Sequence, residues 1–336
     1  MVTAYASAIR TGTMAAARLL RKLEVEKTVE TRGGNIDVFD AMLKVDLPHL
    51  LRPLKGLLGA FIHDPTPGVL ITTQRPMSVQ RFTAAHELGH FFLEHDPSLD
   101  DERILRRLVA GVKSDGSLQE VEANAFAAEF LMPRWLINRH CVRQGWTTKD
   151  FSNPSVLYQL SLRLGVSFEA TCWTLNRDDL ISSSQVKALM DVKPRELKKT
   201  LLDDYEPADY KADVWLLTER DQGARIEGSR QDLFVLRVHE NSNAGYVWNF
   251  EELNSIGFAI VRDGAKALDT DGVGSPVIRS VTAKAEIPAR GTISVEEKRP
   301  WMPEDCLNRL TLDYDLTGPE EEGLSRAERR QLLEAA

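Results

Sequence analysis

Cysteine is scarce in this 336-residue chain. There are three, Cys141, Cys172 and Cys306, widely spaced, with no CxxC pair. An odd number at such spacings suggests neither a disulfide framework nor a cysteine zinc site, and predicts reduced thiols in the core. Long apolar runs are also missing: none approaches the roughly 20 residues that a membrane-spanning helix needs. The opening MVTAYASAIRTGTMAAARLLRKLEVEK lacks the continuous apolar stretch of a signal peptide. It reads as helix, and a cytosolic protein is expected. Positive charge is not in excess, with 42 Lys and Arg against 50 Asp and Glu for a net charge of −8. Readers of phosphate backbones usually show a basic face, so direct nucleic-acid binding is not expected. Internal repeats and low-complexity segments are absent as well.

What remains is ordinary globular composition, 43% hydrophobic and 27% charged, and enough chain for two domains. Residues 13–27 carry apolar positions at helical spacing, and NIDVFDAMLK (35–44) predicts an Asn-capped helix. Two short apolar runs in LGAFIHDPTPGVLITT (58–73), separated by a Pro-Gly turn, predict a hairpin. Helical patterning then dominates to residue 202, and polar DDYEPADYKAD (203–213) marks a linker over 203–212. Beyond it, WLL, FVLRV, YVWNF, GFAIV, PVIRSVTA, TISVEEK and LNRLTLDYDL alternate with turn signals, predicting an all-β sandwich of about seven strands over 213–315. Residues 316–336 close the chain as a charged helical tail.

The chemistry concentrates in FTAAHELGHFFLEH, residues 82–95. Residues four apart on a helix lie roughly 40° from each other around its axis, so His86 and His90 face one point and can grip one Zn²⁺. Glu87, about 100° round, can reach an attacking water as general base. A chance HExxH arises on the order of once in a hundred such chains, so context matters. Phe82, Ala85, Leu88, Phe91, Phe92 and Leu93 make this helix apolar nearly all round and predict its burial. Gly89, costly inside a helix, is read as allowing close packing behind the metal.

For the third ligand, Asp96 is the local alternative. LQEVEANAFAAEFLMP (118–133) offers a better one on a second buried helix. Glu120 and Asn124 share a face, so Glu120 can ligate while Asn124 hydrogen-bonds a ligand histidine. Glu122 is the rival; it points about 200° away from Glu120, so only one of the two can face the metal.

RFTAAHELGHFFLEH, then EVEANAFAAEFLMP, then LYQLSLRLGVSFEATCWTLN resembles the ImmA/IrrE family of bacterial zinc metallopeptidases over residues 14–180. The resemblance implies a mainly helical, zincin-like domain with a small β-sheet. It implies Zn²⁺ on His86, His90 and Glu120, with Glu87 as catalytic acid/base. It also implies cleavage of a helix-turn-helix repressor, and so a place in transcription regulation and stress response. The strand Val69–Thr73 is expected to hold an extended substrate by edge pairing. The helical pair at 156–176 is short of basic residues and is read as a packing or partner-binding element rather than a DNA reader.

In the β region, three loops stand at strand ends: ENSNAGYVW (240–248), DGVGSP (271–276) and KRPW (298–301). Together they resemble the chagasin family of cysteine-peptidase inhibitors, which implies an immunoglobulin-like sandwich with the loops gathered at one end. The matching residues are Asn241, Gly245, Tyr246 and Trp248; Gly272 and Gly274; Arg299, Pro300 and Trp301. Ser242 stands where the family has proline, Asn243 and Ala244 where it has paired threonines, and Ser275 where it has a last glycine. Those departures remove preorganisation and point to partner recognition rather than tight inhibition. Trp248 is also placed to face inward with Tyr246, two residues before it on the strand.

The expected fold is therefore α+β: a helical zincin-like metallopeptidase domain over 1–202, then an all-β immunoglobulin-like sandwich. The expected function is zinc-dependent endoproteolysis of a regulatory protein, with the sandwich recognising a target or partner protein. The alternative is a protease inhibitor or binding module in which the peptidase-like half is a scaffold.

Overall fold

A computed structural model describes residues 2–62, 66–96, 98–101, 118–267, 277–286 and 290–335. The chain divides into two compact units. The first comprises Met1–His140, Leu160–Lys187 and Pro319–Ala336; the second comprises Cys141–Gln159 and Ala188–Gly318.

The first unit is built on helices α1 (Val2–Lys22), α2 (Val25–Arg32), α3 (Val38–Lys44) and α4 (Met77–Phe92), followed by α5 (Leu118–Leu131). The cap of α3 is Asp37, whose carboxylate accepts from the Asp40 amide, rather than Asn35. An aspartate at this position also favours the positive end of the helix dipole. Helix α1 packs through small residues, with Ala8, Ala15 and Ala16 buried. A Cβ on Gly12 would lie 2.0 Å from the Glu122 carbonyl oxygen of α5. Only glycine permits so close a backbone approach.

Beside these helices lies a four-stranded sheet of β1 (His49–Arg52), β2 (Leu57–Ile62), β3 (Gly68–Thr72) and β4 (Ser98–Asp101), in the order β1-β3-β2-β4. The predicted hairpin is β2–β3, antiparallel, with Phe61 opposite Val69. Strand β3 is not an edge: β1 pairs with it in parallel on its other side. Edge pairing of a substrate to β3 is thereby corrected, because its backbone donors and acceptors are used within the sheet.

Residues 319–335 return to this unit. Gly323 bridges Leu51 of β1 through two backbone hydrogen bonds of 2.9 Å. Gln80 of α4, fully buried, accepts from the Glu320 amide at 2.8 Å and donates to the Glu320 carbonyl at 3.0 Å. His49 Nε2 lies 2.7 Å from Ser325 Oγ. A sixth helix, α6 (Arg326–Ala335), ion-pairs Arg330 with Asp37.

Among the described residues, the second unit holds two four-stranded sheets, eight strands where about seven were expected. One runs β5 (Val214–Leu217), β7 (Leu233–Glu240), β10 (Val277–Ala285), β9 (Phe258–Ala267). The other runs β6 (Arg225–Glu227), β12 (Met302–Asp315), β11 (Arg290–Arg299), β8 (Val247–Asn249). Their inner faces interleave Trp215, Phe234, Phe258, Val281, Val295, Leu312 and Tyr314, all buried. Phe258 meets Phe234 and Tyr314 edge-on, at 5.6 and 5.2 Å.

Edge strand β5 is covered. Gln159 donates to the Val214 carbonyl at 2.7 Å and accepts from the Leu216 amide at 2.8 Å, standing in for a neighbouring strand. The stretch read as a linker is tethered at its end, where buried Lys198 donates to the Tyr210 and Lys211 carbonyls. Cys141 and Cys172 are buried free thiols, their pKa pushed by burial up to about 11 and about 12. Cys306 is exposed, which departs from an all-core reading of the thiols. No helix among the described residues is long and apolar enough to cross a membrane.

Candidate functional site

Helix α4 is buried from Gln80 to His90. A helix without a solvent face must satisfy its polar side chains internally. His86 and His90 do so by facing each other across one turn, their Nε2 atoms 3.0 Å apart. Glu120, in the first turn of α5, sets one carboxylate oxygen 3.5 Å from His86 Nε2 and the other 3.6 Å from His90 Nε2. Tetrahedral ligands at zinc distances would stand about 3.3 Å apart, so the spacing fits one small divalent metal. Among the described residues, His86, His90 and Glu120 form the group of metal-capable side chains gathered within 4.8 Å.

Glycines bring the walls close. A Cβ on Gly89 would stand 3.1 Å from Phe126 of α5, so this glycine does let α5 pack directly behind the histidines. A Cβ on Gly59 of β2 would stand 2.5 Å from Glu87 Oε1. Glu87 itself is fully buried, its carboxylate held between α4 and β2. Asn124 lies one turn after Glu120, and its Oδ1 has no hydrogen-bond partner among the described residues. Asp96 is exposed and stands outside the cluster.

Sequence reasoning missed His95. Its Nδ1 lies 3.0 Å from His90 Nδ1 and its Nε2 lies 2.9 Å from Glu122 Oε2. Glu122 thus turns to His95 and not to the facing Nε2 atoms. The one available signal was a third histidine just past the end of the motif, in a chain with 7 histidines.

In the second unit, Asn241 starts its loop by donating both its amide and its side-chain Nδ2 to Glu297, which is fully buried. A 3₁₀ turn follows, ending at Gly245 with φ +81°. The Trp301 ring covers Gly245, where a Cβ would stand 2.6 Å from it. Arg299 stacks on the Tyr246 ring at 4.4 Å and pairs with Asp305 at 3.1 Å. The Tyr246 hydroxyl donates to the same Asp305 at 2.8 Å, which raises the phenol pKa above its usual value. The structure thus joins Asn241, Gly245, Tyr246, Arg299 and Trp301 in one neighbourhood. Pro300 is exposed beside them, and Trp301 is 68% exposed.

Trp248 requires a correction as a loop-surface residue. It is 5% exposed, its amide donating to Glu240 and its indole Nε1 to the His239 carbonyl. Its ring belongs to the core, where a satisfied indole nitrogen is the rule. Gly272 and Gly274 lie outside the described residues.

Comparison with known proteins matches both units. The IrrE N-terminal-like domain model of the M78 peptidases covers residues 52–176. The chagasin family peptidase inhibitor I42 model covers residues 229–316. Amoebiasin-2 of Entamoeba histolytica is 32% identical over 92 residues, which is 27% of this chain and 74% of that protein. Among solved structures, the cysteine protease inhibitor EhICP2 from Entamoeba histolytica is 28% identical, with a TM-score of 0.29 over 32% of this chain and 97% of its own. Amebosin is 20% identical, with a TM-score of 0.25 over 31% of this chain and 96% of its own. The chain therefore belongs to the chagasin family through residues 229–316 and joins that domain to an IrrE N-terminal-like, peptidase-family domain at residues 52–176.

Proposed function

We propose that the first unit is a zinc-dependent endopeptidase that cleaves a specific regulatory protein, and that the chagasin-family domain recognises the target or a partner. The observation that carries this reading is the His86–His90–Glu120 cluster, whose spacing and donor set fit Zn²⁺. Zinc held there would supply Lewis acidity toward a peptide carbonyl and would lower the pKa of water to about 7. Glu87, rooted between the two histidines, takes the proton of the attacking water and returns it to the leaving amine. The choice of a helix-turn-helix repressor as substrate rests on the family likeness of residues 52–176. Co-expression with candidate helix-turn-helix repressors, followed by mass spectrometry, tests it. The expected result is one cleavage site, lost with a chelator, and about one zinc per chain. Full zinc occupancy in a His86→Ala/His90→Ala variant would sink the site.

A second reading, inhibition of a cysteine peptidase, is favoured by the match of residues 229–316 to the chagasin family of peptidase inhibitors. The pinning of Asn241 on buried Glu297 also supplies some of the rigidity that the missing proline would give. Against it, Tyr246 and Arg299 are already engaged with Asp305, leaving Trp301 as the exposed aromatic of these loops. The full chain is expected to inhibit papain weakly or not at all. Tight inhibition, reduced by roughly 2 kcal/mol or more in Trp301→Ala, would put the inhibitor reading first.

A further inference from the structure

We infer, resting on the reading of His86, His90 and Glu120 as a metal site, that His95 and Glu122 are positioning residues that fix which nitrogen His90 offers to the metal. The first support is the end of α4. The His95 amide donates to the His90 carbonyl at 3.0 Å and the Glu94 amide to the Phe91 carbonyl at 3.2 Å. Glu94 is left-handed, with φ +57°. That is a Schellman ending, in which the second residue past the helix folds back against the third from its end. Here those residues are His95 and His90, and their rings meet edge-on with centroids 5.0 Å apart. A non-glycine residue held left-handed costs about 1 kcal/mol or more. The strain is spent at the point that swings His95 onto His90.

The second support is the direction of the hydrogen bonds. A carboxylate oxygen accepts, so the contact is made with His95 Nε2 donating to Glu122 Oε2. Of the two His95 tautomers, the one with its proton on Nε2 leaves Nδ1 to accept from His90 Nδ1–H at 3.0 Å. With its proton on Nδ1, His90 turns a bare Nε2 toward His86 Nε2 and Glu120. One set of tautomers satisfies the whole chain from Glu122 to His90, and it is the set that ligation through Nε2 requires. Glu122 is held in place by its own backbone, against which Gly12 of α1 packs. Glu120 and Glu122 thus divide the work of α5, one addressing the metal-facing atoms and the other the histidine behind them.

The test uses the full chain. Zinc affinity is measured by competition with a chromophoric chelator, and histidine tautomers are read by long-range ¹H–¹⁵N NMR on the zinc-loaded protein. His95→Ala and Glu122→Ala are expected to weaken zinc binding by roughly 10–100-fold. Glu122→Gln, which keeps an acceptor oxygen, is expected to recover most of that loss. The NMR reading should place the proton of His90 on Nδ1 and that of His95 on Nε2. Wild-type affinity in both alanine variants, or a proton on Nδ1 of His95, overturns the inference while leaving the metal site standing. A wild-type chain without zinc affinity, or one whose affinity survives His86→Ala/His90→Ala, removes the site and the inference together. Apo melting temperatures separate lost fold from lost positioning, and the tautomer reading needs no variant.

Discussion

Replacing Glu87 with glutamine is expected to lower proteolysis by roughly 10²–10⁴-fold while zinc content stays at the wild-type level. The carboxylate is absent from the His86–His90–Glu120 cluster, so its loss removes no ligand. What it removes is the proton acceptor. Folding should be unharmed, because glutamine matches glutamate in volume and Glu87 sits in a fully buried slot beside Gly59. A neutral amide is cheaper to bury than a charge, so the melting temperature should hold or rise. Cleavage rates, bound zinc and thermal melts of the two proteins decide the matter. A Glu87→Gln protein that cuts its substrate at the wild-type rate would place the base elsewhere.

Removing residues 319–336 is expected to destabilise the first unit by roughly 3–5 kcal/mol, from the few buried polar groups it strips of partners. Those groups are specific. Gln80 loses both of its bonds to Glu320, Leu51 loses two backbone bonds to Gly323, and His49 loses Ser325. Gln80 and Leu51 are fully buried and His49 is 3% exposed, so water cannot simply replace the lost partners without opening the structure. Against a total stability of about 5–15 kcal/mol, such a loss is large. The effect should fall on α4, since Gln80 stands in its first turns. Hydrogen exchange should therefore quicken in α4 and β1 while the sandwich strands keep their protection. Unchanged exchange in α4 after the deletion would show that the tail is dispensable.

Legibility in the sequence followed the physics of each element. The histidine pair was readable because ligation itself demands a four-residue helical spacing. The hairpin β2–β3 was readable from its turn chemistry. His95 was not, because its approach depends on a left-handed residue at Glu94, a conformation that sequence rules assign to glycine. Tyr246 and Trp248 are two residues apart and invite one assignment. Yet β8 begins only at Val247, so strand alternation does not extend to Tyr246, and the two rings part. Strand β6 escaped because Arg-Ile-Glu is three residues with a single apolar side chain, too short to show a period. The docking of the tail escaped because much of it runs through backbone bonds, an amide and a hydroxyl, none of which leaves a hydrophobic pattern.

The return of residues 319–335 to the first unit bears on the order of events during synthesis. His86, His90 and Glu120 leave the ribosome before the second unit, yet the segment that closes their own unit follows it. More than a hundred residues of the second unit are translated in between, an interval on the order of ten seconds at ordinary elongation rates. For that time the nascent chain carries these three residues in a unit still lacking its closing segment. The first unit, with α4 and the His86–His90–Glu120 cluster, is complete only once residues 319–335 have followed the second unit out of the ribosome.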